Sequence, residues 1–398
     1  MHEANQRELP LLAVFALTAD YPGANERSFA FLLEGLRHYQ QRLRDERDVQ
    51  LVVLRGTPPA VVMALAHRAA LLVADVGYTR VSRQWHRQIS SRCPCQFHAV
   101  ESEVVVPVEL ASKREEPAAA TLRPKLRRHF QRFLKPLAST QARVLCGSPP
   151  LENLMQSLSD TFPVLDLIDD ETESDQRPRD GVATALESLG PGLDRSVPRV
   201  DSFRGGSDVA EALLQKFVAE KLPGFATFRK DPNARYQSNL SPYLHFGFIS
   251  PVYAALTAME AAEAKERAAM KAAPSWPCAP RAESSAVAEE GATHTRAEAN
   301  AAVASPGGGS KLRTVTGADV EAFLDELIVR RELARNLVWY NPHYDTIDCL
   351  RSTAGWALET LQEHQFDSRP HIYKFEELES GQTEDKCASL FAVGAIVK

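Results

Sequence analysis

The chain has 398 residues, 44% apolar and 25% charged, a length and balance that fit a globular protein of two domains rather than one. A net charge of −6 supplies no global attraction for nucleic acid, so such a contact has to come from local clusters. No run approaches the ~20 apolar residues of a membrane span, and the opening MHEANQRELP shows neither a signal-peptide core nor an Arg/Ser-rich transit pattern. The expected location is intracellular, with no membrane partner. Nucleus and organelle are left open.

Residues 11–18 (LLAVFALT), 49–56 (VQLVVLRG) and 70–76 (ALLVADV) are continuous apolar runs, the pattern of strands buried on both faces. Between the first two, Phe29, Leu32, Leu33, Leu36 and Leu43 recur at helical spacing. PPAVVMALAHRAA and TRVSRQWHRQISSR read as further helices, the latter leading to the strand-like CQFHAVES. Strand–helix–strand repetition predicts an α/β domain over 1–135 with a doubly wound parallel sheet. No G-x-G-x-x-G follows a strand, which leaves a dinucleotide site of that type unsupported.

Residues 113–135 hold eight Lys/Arg against two Glu, with Phe130, Phe133 and Leu134 on an apolar stripe. This is an amphipathic helix whose cationic face is either a solvated surface or a contact for nucleic-acid phosphate. Residues 136–207 read as an interdomain linker, richest in Asp, Pro, Gly and Ser over 166–206. From 208 the pattern turns helical to the end. It is interrupted at 260–310 by an Ala-rich segment with too little apolar content to offset its ordering entropy, expected to be disordered.

The six cysteines lack a framework spacing and are expected as free thiols. Cys93, Cys95 and His98 form a C-x-C with one nearby His but no second ligand pair, so no metal site is assigned.

Two stretches carry chemistry. In QSNLSPYLHFG, Gln237, Ser238, Asn239 and Ser241 precede Pro242, a residue favoured at a helix start. Such an N-terminus, with free N–H groups and hydroxyl and amide side chains, suits a phosphate or pyrophosphate. The plainer alternative is that Ser241 simply caps the helix. In FLDELIVRRELARNLVWYNPHYD (323–345), apolar residues at helical spacing surround Glu326, with Arg330 and Arg331 close behind. A Glu on an apolar face is costly unless paired with an Arg or a ligand.

SNLSPYLHFG, followed by DELIVRRELARN, NPHYD and WALETLQEH, resembles the class II cyclobutane pyrimidine dimer photolyases of the photolyase/cryptochrome superfamily. GFATFRKDPN (224–233) and VVPVELASKREEPAAATLRPKL resemble further segments of that family. The resemblance implies an α/β domain able to hold an antenna pigment of deazaflavin or folate type, followed by an all-α domain holding FAD. It implies light-driven repair of pyrimidine dimers in UV-damaged DNA by electron transfer from reduced FAD, in a monomeric deoxyribodipyrimidine photo-lyase. By the same resemblance, Gln237, Ser238, Asn239, Leu240 and Ser241 form the loop that cradles the FAD pyrophosphate. Phe225 takes a flavin-contacting position that is usually Tyr. Glu326 matches the catalytic carboxyl that hydrogen-bonds the dimer's base carbonyl. Arg229 and Lys230 stand at the family's Arg-Asn pair near the lesion, Lys230 being a departure, and Arg330 and Arg331 lie where the family approaches DNA.

The pattern departs from the family at both ends. The run at 11–18 corresponds to the second family strand, so the sheet is expected to lose pairing in its middle. By the resemblance, CASLFAVGAIVK (387–398) stands where the family continues with its flavin N5 neighbour and Trp relay, so the helical domain is expected to be incomplete. The alternative function is therefore a non-catalytic photolyase-like fragment or a flavin photoreceptor relative.

Overall fold

β1 (Leu12–Leu17) pairs in parallel with β2 (Gln50–Arg55), and β3 (Leu71–Asp75) in parallel with β4 (Gln96–Val100). No ladder joins β1 to β3 among the described residues, so the described strands stand in two separate ladders. These elements belong to a computed structural model that describes residues 1–137, 149–167, 180–272, 314–369, 371–374 and 377. Residues Met1–Tyr340 form one compact unit and Asn341–Lys398 another. The sequence-derived boundaries at 135 and 208 both fall inside the first.

The apolar run of β2 is buried on both faces, as its composition requires. Leu51 and Val53 pack with α1 (Glu26–Arg47), while Val52 and Leu54 pack with Val61 and Leu65 of α2 (Pro58–Ala66). β3 differs from expectation: Val73 is 58% exposed. Among the described residues β4 is the one strand paired with β3, which leaves its other edge unpaired.

α3 (Arg80–Ser90) joins β3 to β4. The basic stretch is shorter than expected. α4 (Ala119–Arg127) ends before a separate turn at Phe130–Phe133, and three of its cations are already paired. Arg123 bonds Asp325 at 2.6 Å, Lys125 pairs with the buried Glu116, and Arg127 pairs with Glu321.

The interdomain-linker reading needs correction. α5 (Pro149–Ser159) supplies Leu158 to one face of the sheet, and β5 (Val164–Leu165) pairs antiparallel with β2. α6 (Gly181–Ser188) buries Val182, Ala185 and Leu186, continued by Leu189, against the α1 side. Those residues repeat at i, i+3, i+4 and i+7, a helical pattern hidden by the surrounding Pro, Gly and Asp. Residues 138–148 and 168–179 lie outside the described residues.

From residue 207 onward the described elements are helical, beginning with α7 (Ser207–Glu220). α8 (Phe225–Phe228), α9 (Ser241–His245), α10 (Pro251–Ala272) and α11 (Gly317–Leu324) follow. α10 overrules the disorder expected from residue 260, because an Ala-rich stretch has the best intrinsic helix propensity. The rest of that segment, 273–313, lies outside the described residues, as does the tail 387–398. After α11 comes a π-helical turn, Asp325–Arg330, then α12 (Arg331–Tyr340).

The two parts of the first unit meet at close quarters. Phe31 of α1 packs on Tyr243, Phe246 and Phe248 at centroid distances of 5.2, 5.4 and 5.6 Å. Gly35 has to be glycine, since a Cβ there would meet the Phe248 ring at 1.9 Å.

Candidate cofactor and lesion site

Asp319 fixes the frame. One carboxylate oxygen accepts from the Ala226 N–H at 3.0 Å, and the other accepts from Thr316 in a capping box at the head of α11. Burial pushes this carboxyl up, but hydrogen bonds from Thr316 and from the Ala226, Thr316 and Gly224 amides outweigh it and hold the group below its usual range. α8 is thereby pinned onto α11. Phe225, 4% exposed, sits edge-on against Phe217 and Phe323 at 5.4 and 5.9 Å. Its ring packs the core; the position acts as a brace for the segment that follows.

That segment delivers Arg229, whose guanidinium pairs with the Glu326 carboxylate. Glu326 stands on the π-helical turn, a local widening of the helix often found at functional sites. Arg330 approaches Glu326 at 3.9 Å and Asp325 at 3.7 Å. Asp325 is held below the usual carboxylate range, chiefly by its hydrogen bond from Arg123, against burial. Two carboxylates and three guanidiniums thus share one patch. The obvious i→i+4 partner of Glu326 is the weaker one, and its nearer partner comes from 97 residues away.

Arg331 is not part of this patch. One residue further along the helix turns it by about 100°, into the buried neighbourhood of Arg335, Glu332, Glu103 and Tyr78, where desolvation lowers its pKa. Lys230 is exposed beside Arg229.

Gln237 donates from its side-chain amide to the Arg229 carbonyl at 3.0 Å, and Lys221 donates to the Gln237 carbonyl at 3.0 Å. Along the loop, Gln237, Asn239 and Ser241 are exposed, Ser238 is half-buried and Leu240 is buried at 1%. Leu240 is therefore a core anchor, and its part in the loop is the backbone N–H that reaches the Ser238 hydroxyl at 3.4 Å. Asn239 has φ +59° and Leu240 is right-handed, a pairing that turns successive N–H groups to one side as in anion-binding nests. Ser241 is the first residue of α9 and Pro242 the second, and no side chain caps this helix. The capping alternative for Ser241 is thus not realised. Exposed amide and hydroxyl groups, the nest, and Lys221, Arg229, Lys230 and Arg235 nearby fit a phosphorylated ligand.

Residues 1–142 match the DNA photolyase family. The deoxyribodipyrimidine photo-lyase of Methanothermobacter thermautotrophicus is 35% identical over 382 residues, covering 96% of this chain and 66% of that protein. Along nearly its whole length the chain is thus similar to DNA photolyases. The deoxyribodipyrimidine photo-lyase of Potorous tridactylus is 28% identical over 386 residues, 96% of this chain and 57% of its own. A Synechocystis cryptochrome shares the photolyase fold at a TM-score of 0.56 and 15% identity, over 98% of this chain and 66% of that one. The chain spans less than two thirds of the length of these curated relatives. Among the described residues, no helix is long and apolar enough to cross a membrane.

Sequence reasoning missed several residues of this candidate site: Asp319, Asp325 and Arg123 in the frame, and Arg229 as the partner of Glu326. Only the T-x-x-D of Thr316 and Asp319 had a local signal, that of a capping box.

Proposed function

We propose that this chain serves light-driven repair of cyclobutane pyrimidine dimers in DNA, on the class II pattern, with FAD as its cofactor. The observation that carries the reading is Arg229: its carbonyl holds Gln237 of the phosphate-type loop while its guanidinium holds Glu326. One residue links the two groups that a flavin and a flipped base would need in register.

Asn239, Ser241 and the 238–240 backbone would hold the pyrophosphate, with Lys221 and Arg235 adding positive charge. Reduced FAD, when bound, supplies the electron that opens the cyclobutane ring on illumination. Glu326 hydrogen-bonds the dimer's base edge, and Arg229 orients that carboxyl. Lys230 and Arg330, both exposed, reach the DNA backbone, where phosphate contacts supply sequence-independent affinity. An antenna pigment belongs to the same reading. Tyr21, beyond the carboxyl end of β1, and Trp85 on α3 lie 6.1 Å apart and offer an aromatic pair against which a planar pigment would pack.

The test is loss of thymine dimers from an oligonucleotide incubated with the chain and chemically reduced FAD, in light and in darkness. Loss in light alone, reduced in Glu326→Gln, is expected. Flavin retained with dimers intact would overturn repair and favour a photoreceptor relative.

A further inference from the structure

Cys93 and Cys95 occupy the turn between α3 and β4, separated by Pro94. Both are free and half-buried, and their Sγ atoms lie 3.6 Å apart. The backbone holds them there. The Cys93 N–H bonds the Ile89 carbonyl at 2.8 Å, Pro94 has a restricted φ, and β4 begins at the next residue, Gln96, in register with Leu71.

Two chemistries use a pair of sulfurs at contact. The separation would suit one edge of a tetrahedral zinc–thiolate site, which needs four ligands. Among the described residues no cluster of three or more His, Cys, Asp or Glu is positioned to hold a metal ion. The other chemistry is bond formation between the sulfurs. A disulfide has S–S of about 2.05 Å, so the approach required is about 1.5 Å, within reach of side-chain rotation.

We propose that Cys93 and Cys95 form a redox-responsive dithiol that closes to a disulfide within the turn. With a peroxide as oxidant, the Cys93 thiolate attacks one peroxide oxygen, giving a sulfenic acid and one water. Cys95, whose proton burial and the neighbouring thiol hold more tightly, then attacks the Cys93 sulfur. The S–S bond forms and a second water leaves, so two thiols lose two electrons and one hydrogen peroxide becomes two waters. A small-molecule thiol reverses the step by exchange. The bond would lock the end of α3, the helix whose Arg83 donates to the Trp339 carbonyl at 3.2 Å.

The test treats the reduced full-length chain with hydrogen peroxide, alkylates remaining thiols under denaturing conditions and maps tryptic peptides. The expected result is a Cys93–Lys113 peptide that takes no alkyl group, is lighter by two hydrogens, and regains two alkylation sites after dithiothreitol. Prior treatment with phenylarsine oxide, which bridges close dithiols, should block the change. A peptide that stays doubly alkylated overturns the proposal, as does one carrying sulfinic acid without a disulfide. Because the wild-type chain gives this readout, folding of a variant does not enter. Cys93→Ser serves as a further arm, in which the Cys95 peptide must show no internal disulfide and no dithiothreitol-restored pair.

Discussion

The Arg229 guanidinium pairs with the Glu326 carboxylate across 97 positions of sequence, joining the segment after α8 to the π-helical turn. The pair is partly open to solvent, with Glu326 43% exposed. Partly exposed pairs contribute little stability, about 0.2–1 kcal/mol. Its value is orientation.

Glu326→Gln is therefore expected to leave the unfolding free energy within about 1 kcal/mol of wild type. It should nevertheless weaken discrimination between dimer-bearing and undamaged oligonucleotides, read by fluorescence anisotropy. A large stability loss with discrimination unchanged would make the pair a structural bridge.

Ser241→Ala separates cradle from cap. Loss of an N-cap costs about 1 kcal/mol, but Ser241 does no capping here, so thermal melting of the flavin-free protein should not move. Flavin affinity should fall by roughly 1–2 kcal/mol, the scale of a hydrogen bond to a charged group. Equilibrium titration with FAD measures this, and unchanged affinity would remove Ser241 from the cradle.

Asp319→Ala removes both the capping box and the acceptor for the Ala226 N–H. The expected cost is about 2–3 kcal/mol, from a lost cap and an amide left unpaired in a half-buried position. Urea unfolding gives the number. Since α8 leads into Arg229, the variant should also lose dimer discrimination.

Glu332 gives stability a pH dependence. Burial pushes its carboxyl up to about 8, against hydrogen bonds from the Val105 and Val106 amides. A carboxyl that binds its proton more tightly when folded contributes stability that is fully present below the unfolded value, 4.5, and is lost as pH rises through about 8. The loss should be on the order of a few kcal/mol. Denaturant unfolding at stepped pH should show this fall, and Glu332→Gln should flatten it.

Much of the architecture was legible in the chain itself. Continuous apolar runs marked β1 and β2 because a strand covered on both faces needs no polar alternation. The same logic failed for β3, where exposure depends on which strand lies alongside. α6 was missed because its four core residues stand among Pro, Gly and Asp. The disorder assigned from residue 260 overlooked that a low-apolar segment can still be helical when Ala dominates it.

For the site, sequence by itself determined the local pieces: exposed amide and hydroxyl groups ahead of Pro242, and a carboxylate on an apolar helix. Tertiary structure decided what those pieces do to one another. Helical periodicity offered Arg330 and Arg331 as partners for Glu326, but packing turned Arg331 inward and brought Arg229 across from a distant segment. Leu240 and Phe225, which the resemblance offers as ligand contacts, are also buried in the core beneath the loop and α8. The reason is physical: periodicity reports neighbours within an element, whereas a site is made by side chains from different elements, and their separation is set by the core beneath them.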